Sequence, residues 1–253
     1  MIASLRSEWL KLRTTRTIFW LLVALFAIIT LFTVAGVLTN NKADLTGAEN
    51  QIGVLGIGIL APLIALIMGL IISTGEYRHG TITPTLLSTP SRILVVVRKG
   101  IAGVFLGVVL VAFAEGLVIA EIAAMLPIRG IDLTLDGGDV VRVLVRILAA
   151  SALWGAIGSG LGLALRNQIG TFVGCFAWLF FAEPILNGIL NSHAIHSNAG
   201  RFFPFMSTIA IFNDSEEANS NMLSHTAGVA VLSGWMLLAT IVALVQLERR
   251  DVS

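Results

Sequence analysis

The sequence predicts an all-α integral membrane protein: six transmembrane helices preceded by an amphipathic helix lying in the membrane interface. Three observations predict it. Of 253 residues, 56% are hydrophobic and only 12% charged, against about a quarter charged in a soluble domain. Apolar runs of about twenty residues recur along the chain, the length that roughly 30 Å of hydrocarbon demands of a helix. The cations also fall unevenly between the segments joining those runs, as a bilayer requires of its two sides.

Residues 1–17 carry Arg6, Lys11, Arg13 and Arg16 against one acid, Glu8. Leu5, Trp9 and Leu12 recur at helical spacing, so an apolar stripe runs beside the cations. Such a helix lies in the interface, with Trp9 at headgroup depth and the arginines toward anionic lipid. The first span reads 18–38. A cleavable signal peptide has an apolar core of only about 7 to 15 residues, so this run is expected to stay as an anchor. An outer loop, 40–51, holds Lys42, Asp44 and Glu49.

The second span, 52–73, contains Gly53, Gly56, Gly58, Pro62 and Gly69. Small residues let helices approach closely in lipid, and a proline is tolerated where neighbours satisfy the freed carbonyl. The third span, 101–126, has Gly103-x-x-x-Gly107 and two acids, Glu115 and Glu121; Pro127 closes it. An acidic outer segment, 128–139, leads into the fourth span, 140–165, which opens with Arg142 and Arg146 and continues through Gly155, Gly158, Gly160 and Gly162. Arg166-Asn167-Gln168 reads as a tight inner turn. The fifth span, 169–190, begins with Gly170-x-x-x-Gly174 and carries Glu183-Pro184 well inside. In the outer segment 191–224, residues 202–212 are apolar enough to dip into the outer leaflet. The sixth span, 226–247, ends in Glu248-Arg249-Arg250-Asp251.

The segment 75–100 is the one long polar stretch that carries several cations between two membrane-length runs. Gly80 can end the preceding helix, Thr81 or Thr83 can cap a new one, and Pro84 is tolerated in a first turn, where its missing N–H had no helical partner anyway. Thr89-Pro90 stops that helix after about two turns. Ser91 can cap the next, with Arg92, Arg98 and Lys99 held at the water–lipid boundary. A short helix braced between two spans suits docking, because its ends cannot move without moving the spans.

Charge by side agrees. With both termini inside, the inner segments hold Arg6, Lys11, Arg13, Arg16, Arg78, Arg92, Arg98, Lys99, Arg166, Arg249 and Arg250. The outer segments hold only Lys42, Arg129, Arg142, Arg146 and Arg201, the asymmetry expected of a cytoplasmic 75–100 loop.

No Gly-x-x-x-x-Gly-Lys-Ser/Thr occurs, so the chain lacks the loop that would cradle ATP phosphates. A nucleophile elbow and a His-Glu-x-x-His are also missing. His193-x-x-His196 offers two imidazoles without an evident third ligand, a weak metal site. Asn213-Asp214-Ser215 fits a glycosylation acceptor by chance as easily as by use. The single cysteine, Cys175, excludes an intrachain disulfide and reads as a small core hydrophobe.

Each in-span carboxylate costs about 2.5 to 3.5 kcal/mol at mid-bilayer and needs a partner. Counting from the inner ends at residues 101 and 169, Glu115 and Glu183 each lie roughly 21 Å across. Arg146, entering from outside, can meet one of them, and Arg142 lies closer to Glu121. An outer-leaflet charge network of Glu115, Glu121, Arg142, Arg146 and Glu183 is therefore expected to link the third, fourth and fifth spans.

Glu76, the Arg78-His79-Gly80-Thr81-Ile82 run, Leu86-Leu87, Thr89-Pro90, Arg92 and Lys99 resemble the cytoplasmic loop of bacterial ABC-2 type transporter permeases. Their pattern is an acidic residue, then Gly-Thr-Ile, a Leu pair, a Pro, an Arg and a Lys. The resemblance extends to the basic start, the number of spans and the chain length, but only this loop is specific. It implies the ABC-2 (type V exporter-like) permease fold, whose short loop helix is the coupling helix that fits a notch on a separate ATPase subunit. The implied docking residues are Glu76, Arg78, Gly80, Thr81, Ile82, Leu86, Leu87, Pro90 and Arg92.

The resemblance further implies two copies of a cytoplasmic ATP-binding cassette subunit, a second permease copy or paralogue, membrane lipid as surroundings and no nucleic acid. ATP and Mg would belong to the ATPase; this chain would bind no cofactor and be no enzyme. The implied function is export of an amphiphilic compound such as an antibiotic, peptide or lipid-linked molecule across the cell membrane, as in multidrug efflux. One rival is a secondary transporter coupling Glu115 or Glu183 to protons, which gives no reason for the 75–100 loop. Another is a non-transporting anchor or immunity factor, which would tolerate replacement of the in-span glutamates.

Overall fold

Long apolar runs with few charges favour helices, because lipid offers backbone N–H and C=O groups no partner outside their own segment. The computed structural model describes residues 16–47, 51, 61–88, 91–190, 197–212 and 222–249. Helix α1 spans Arg16–Thr39, α2 Ala61–Arg78, α3 Ile82–Ser88 and α4 Arg92–Ile128. Helix α5 spans Gly137–Leu165, α6 Gln168–Leu190, α7 Pro204–Phe212 and α8 His225–Arg249. No strand occurs among the described residues.

Five helices, α2, α4, α5, α6 and α8, are long and apolar enough to cross a membrane. Helix α1 covers the run expected as the first span, with a described apolar stretch over Phe26–Thr39. The expected interfacial helix, apart from Arg16 and Thr17, lies outside the described residues, as do Gly53, Gly56 and Gly58.

Helix α5 is the hub, packing against α2, α4 and α8. Its glycines explain how it can touch all three. A Cβ added at Gly158 would run into the Leu66 carbonyl of α2, and one at Gly160 would come within 2.9 Å of the Ala239 backbone of α8. Gly155 of α5 meets Gly103 of α4 in the same way, and Gly69 of α2 faces Gly155. Backbone therefore lies on backbone, the close approach that holds helices together where lipid is as apolar as leucine.

Two helices depart from the expected outline. Helix α4 has 37 residues, roughly 55 Å and well beyond the hydrocarbon thickness. Its start is set by Ser91, whose Oγ accepts from the Leu94 N–H at 3.4 Å, so the helix begins at Arg92 and runs without a break into the third span. Arg98 and Lys99 belong to its early turns, and Pro127 sits inside its last turn.

Helix α6 is interrupted. It is α-helical over Gln168–Ala177, makes a π turn over Trp178–Ala182, and resumes over Glu183–Leu190. The Glu183 N–H bonds the Trp178 carbonyl five residues back, and Pro184 next to it has no N–H to give. Inserted π turns of this kind concentrate at functional positions.

Helix α7, within the stretch expected to dip into the outer leaflet, packs on α8. Trp154 of α5 donates to the Thr208 hydroxyl of α7 at 2.9 Å, and Trp235 of α8 donates to the Phe202 carbonyl at 2.9 Å.

Candidate functional site

The loop between α2 and α4 is built from its hydrogen bonds upward. Gly80 takes φ +65°, a left-handed turn that costs glycine nothing and carries the chain off the end of α2. The Thr81 N–H returns to the Glu76 carbonyl at 2.9 Å, while the Thr81 carbonyl accepts from the Thr85 N–H at 3.2 Å and so opens α3.

Beneath α3 lies a buried ion pair. Lys99 Nζ of α4 stands 2.7 Å from Glu76 Oε1 of α2, and the two residues are only 5% and 3% exposed. Lys99 also donates to the Ile72 carbonyl at 3.3 Å, and the Thr85 hydroxyl of α3 donates to Glu76 Oε1 at 3.4 Å. One carboxylate thus joins three helices. Ile82, at the start of α3, is buried, whereas Thr83, Pro84 and Leu87 are exposed, Leu87 at 80%.

Two arginines tie the same end of the bundle to the last helix. Arg92 donates to the Leu247 carbonyl, and Arg166 Nη2 donates to the Gln246 carbonyl at 3.2 Å. Both serve carbonyls of the final turn of α8, where cations also suit the negative end of the helix dipole.

The sequence profile of the ABC-2 family transporter protein matches residues 2–252. The chain belongs to the ABC-2 family. It is an ABC-2 type permease, a membrane component of a kind that normally works with an ABC ATPase subunit. No curated protein matches it.

In this ABC-2 permease, the nine residues expected to dock a partner do not share one face. Glu76 and Ile82 are buried. Thr81 and Leu86 are half-buried, and Arg92 is turned to α8. Arg78 is exposed but leans toward the turn after α5, with Nη1 3.4 Å from Gln168 Oε1. Gly80 and Leu87 face outward, and Pro90 lies outside the described residues. Sequence reasoning missed Thr85 as a hydroxyl on the joint and Arg166 as a clamp on α8. A signal existed for the pair itself, since Glu76 and Lys99 were the acid and the base of the loop pattern.

Of the charges expected to form an outer network, Arg142, Glu121 and Glu183 have partners outside that set. Arg142, exposed in the first turns of α5, pairs with Asp139 at 3.0 Å along its own helix. Glu121 turns to α1 and accepts from the Thr30 hydroxyl at 2.7 Å. Glu183, at the end of the π turn, accepts from the Met206 N–H at 2.9 Å, an otherwise unserved donor in the first turn of α7. Glu115 is buried on α4, and its Oε2 has no hydrogen-bond partner. Arg146 is half-buried on α5. The weak pair His193 and His196 and the Asn213 motif lie outside the described residues.

The Glu183 contact has a testable consequence. Glu183→Leu removes the acceptor from a half-buried N–H, which costs about 1 kcal/mol. Protease protection of residues 197–212 should fall, and Glu183→Gln, which keeps an acceptor oxygen, should preserve most of it.

Proposed function

We propose that this chain is the membrane-spanning permease subunit of an ATP-driven exporter of amphiphilic compounds, energised by a separate ATPase subunit docking on residues 75–100. The observation that carries the reading is the placement of α3. Its outer face presents Thr83, Pro84 and Leu87, while its inner face rests on the buried Glu76–Lys99 pair shared by α2 and α4. Leu87, 80% exposed, offers apolar area that a partner's surface can bury. A push on α3 reaches two long helices at once, because Thr85 and Lys99 converge on the same carboxylate oxygen.

In this reading the body has six spans, α1 joining the five membrane-length helices, with both termini cytoplasmic. Two permeases, as a homodimer or with a paralogue, associate with two ATPase subunits, which hold the ATP and Mg. An amphiphilic cargo is supported by an apolar cavity of about 340 Å³ between α5, α6 and α8, with Trp154, Trp178, Trp235 and Cys175 among its walls. Such a cavity has room for hydrocarbon and few groups to select a polar compound.

Co-purification with the ATPase subunit tests the proposal. Leu87→Asp should lower the affinity for the ATPase by about tenfold or more, the loss of a contact worth at least about 1.4 kcal/mol. The same variant should insert in the membrane in normal amounts, since Leu87 touches little of its own chain. Undiminished retention would move the docking surface elsewhere.

A further inference from the structure

We propose that a pocket between the loop end of α2 and the start of α6 binds the phosphate of an anionic phospholipid, with an acyl chain lying along the apolar wall beside it. The pocket has a volume of about 720 Å³, with Arg78, Arg166 and Gln168 on its polar side and Ile169, Phe172 and Val173 on its apolar side. The assignment stands whether or not an ATPase docks on α3.

Arg166 is held ready. Its backbone is left-handed, at φ 57°. Its guanidinium lies 5.4 Å from the centre of the Tyr77 ring and donates through Nη2 to the Gln246 carbonyl at 3.2 Å. Tyr77 is itself fixed, its hydroxyl donating to the Leu163 carbonyl at 3.2 Å. Yet Arg166 Nε is buried without a hydrogen-bond partner. A guanidinium held this firmly on the pocket wall, with no carboxylate beside it among the described residues, suits an anion with several acceptor oxygens.

Arg78 supplies the second charge. It is exposed, and its contact with Gln168 Oε1 is long, 3.4 Å. Neither arginine pairs with a carboxylate among the described residues. Two cations held near each other without an acid repel, and a bound phosphate removes that cost.

The other wall identifies the rest of the ligand. Ile169 is 76% exposed and Val173 62% exposed on a helix of membrane-crossing length. Residues exposed in this way face hydrocarbon, so the pocket is continuous with the lipid-facing surface of α6. A free phosphate would use the arginines and leave this wall unused. A choline lipid would bring its own cation toward Arg78. An anionic phospholipid satisfies both sides, and basic pockets between spans take such headgroups.

The experiment uses the full chain in nanodiscs of mixed phosphatidylcholine and phosphatidylglycerol, with native mass spectrometry counting the lipids retained on release. Wild type should hold phosphatidylglycerol in preference to phosphatidylcholine. Arg78→Gln should reduce that preference about fivefold, as expected for one cation near an anionic headgroup. Val173→Trp, which fills the apolar side, should reduce retention of the lipid while leaving the thermal midpoint unchanged. Millimolar inorganic phosphate should leave the lipid in place. Equal retention of the two lipids, an unaltered preference in Arg78→Gln, or displacement by phosphate alone would each overturn the assignment.

Discussion

Lys99→Met is expected to destabilise the loop end of the bundle by about 3 to 5 kcal/mol, because it leaves the buried Glu76 carboxylate without its cation. Glu76, only 3% exposed, has little contact with water to soften the loss. The single variant Glu76→Leu should cost a similar amount by stranding the lysine. The double variant, Glu76→Leu with Lys99→Met, should recover most of the stability, since a well-packed apolar pair replaces a buried ion pair at little net cost. Thermal unfolding of the four proteins in detergent, followed by tryptophan fluorescence, closes the cycle. If the two single losses simply add in the double variant, the two side chains do not depend on each other and the joint is misassigned.

Gly158→Leu should prevent the central helices from docking. A Cβ at Gly158 would collide with the Leu66 carbonyl and lie 3.1 Å from the Leu70 nitrogen, and both are backbone atoms that cannot rotate aside. Overpacking of a close helix contact typically costs about 1 to 3 kcal/mol, and more when nothing can yield. Size-exclusion chromatography of the tagged variant should show loss of the monodisperse peak. Gly116→Ala is the matched control, because a Cβ at Gly116 meets nothing within 4 Å. That change should be neutral or gain up to about 1 kcal/mol of helix propensity. A monodisperse Gly158→Leu protein with an unchanged midpoint would mean that α2 and α5 are not packed this closely.

What was legible in the sequence was what depends on a residue and its near neighbours. The apolar runs became long helices, the Gly158 region became a packing face, Ser91 caps α4, and the apolar stretch after residue 202 forms a helix of its own. What was hidden depends on which way a side chain faces. Lys99 read as a boundary cation because charge beside a span normally sits in water, but a glutamate on a neighbouring helix draws it inside and the helix continues through it. The in-span acids were matched to arginines by depth alone. Depth does not reveal that Thr30 stands opposite Glu121, or that a backbone N–H at Met206, 23 residues along the chain, faces Glu183. The loop's docking residues suffered the same limit, since a pattern of types cannot tell Glu76, turned inward, from Leu87, turned outward.

The π turn at Trp178–Ala182 divides α6 into two rods. The first leans on α2 and α5, whereas the second contacts the 198–202 turn and, through Glu183, grips α7. Torque entering the first rod from the loop end meets a dislocation before it reaches the second. The two parts of α6 are therefore tied to different neighbours, and a shift of the first against α2 and α5 need not carry the contacts of the second with it.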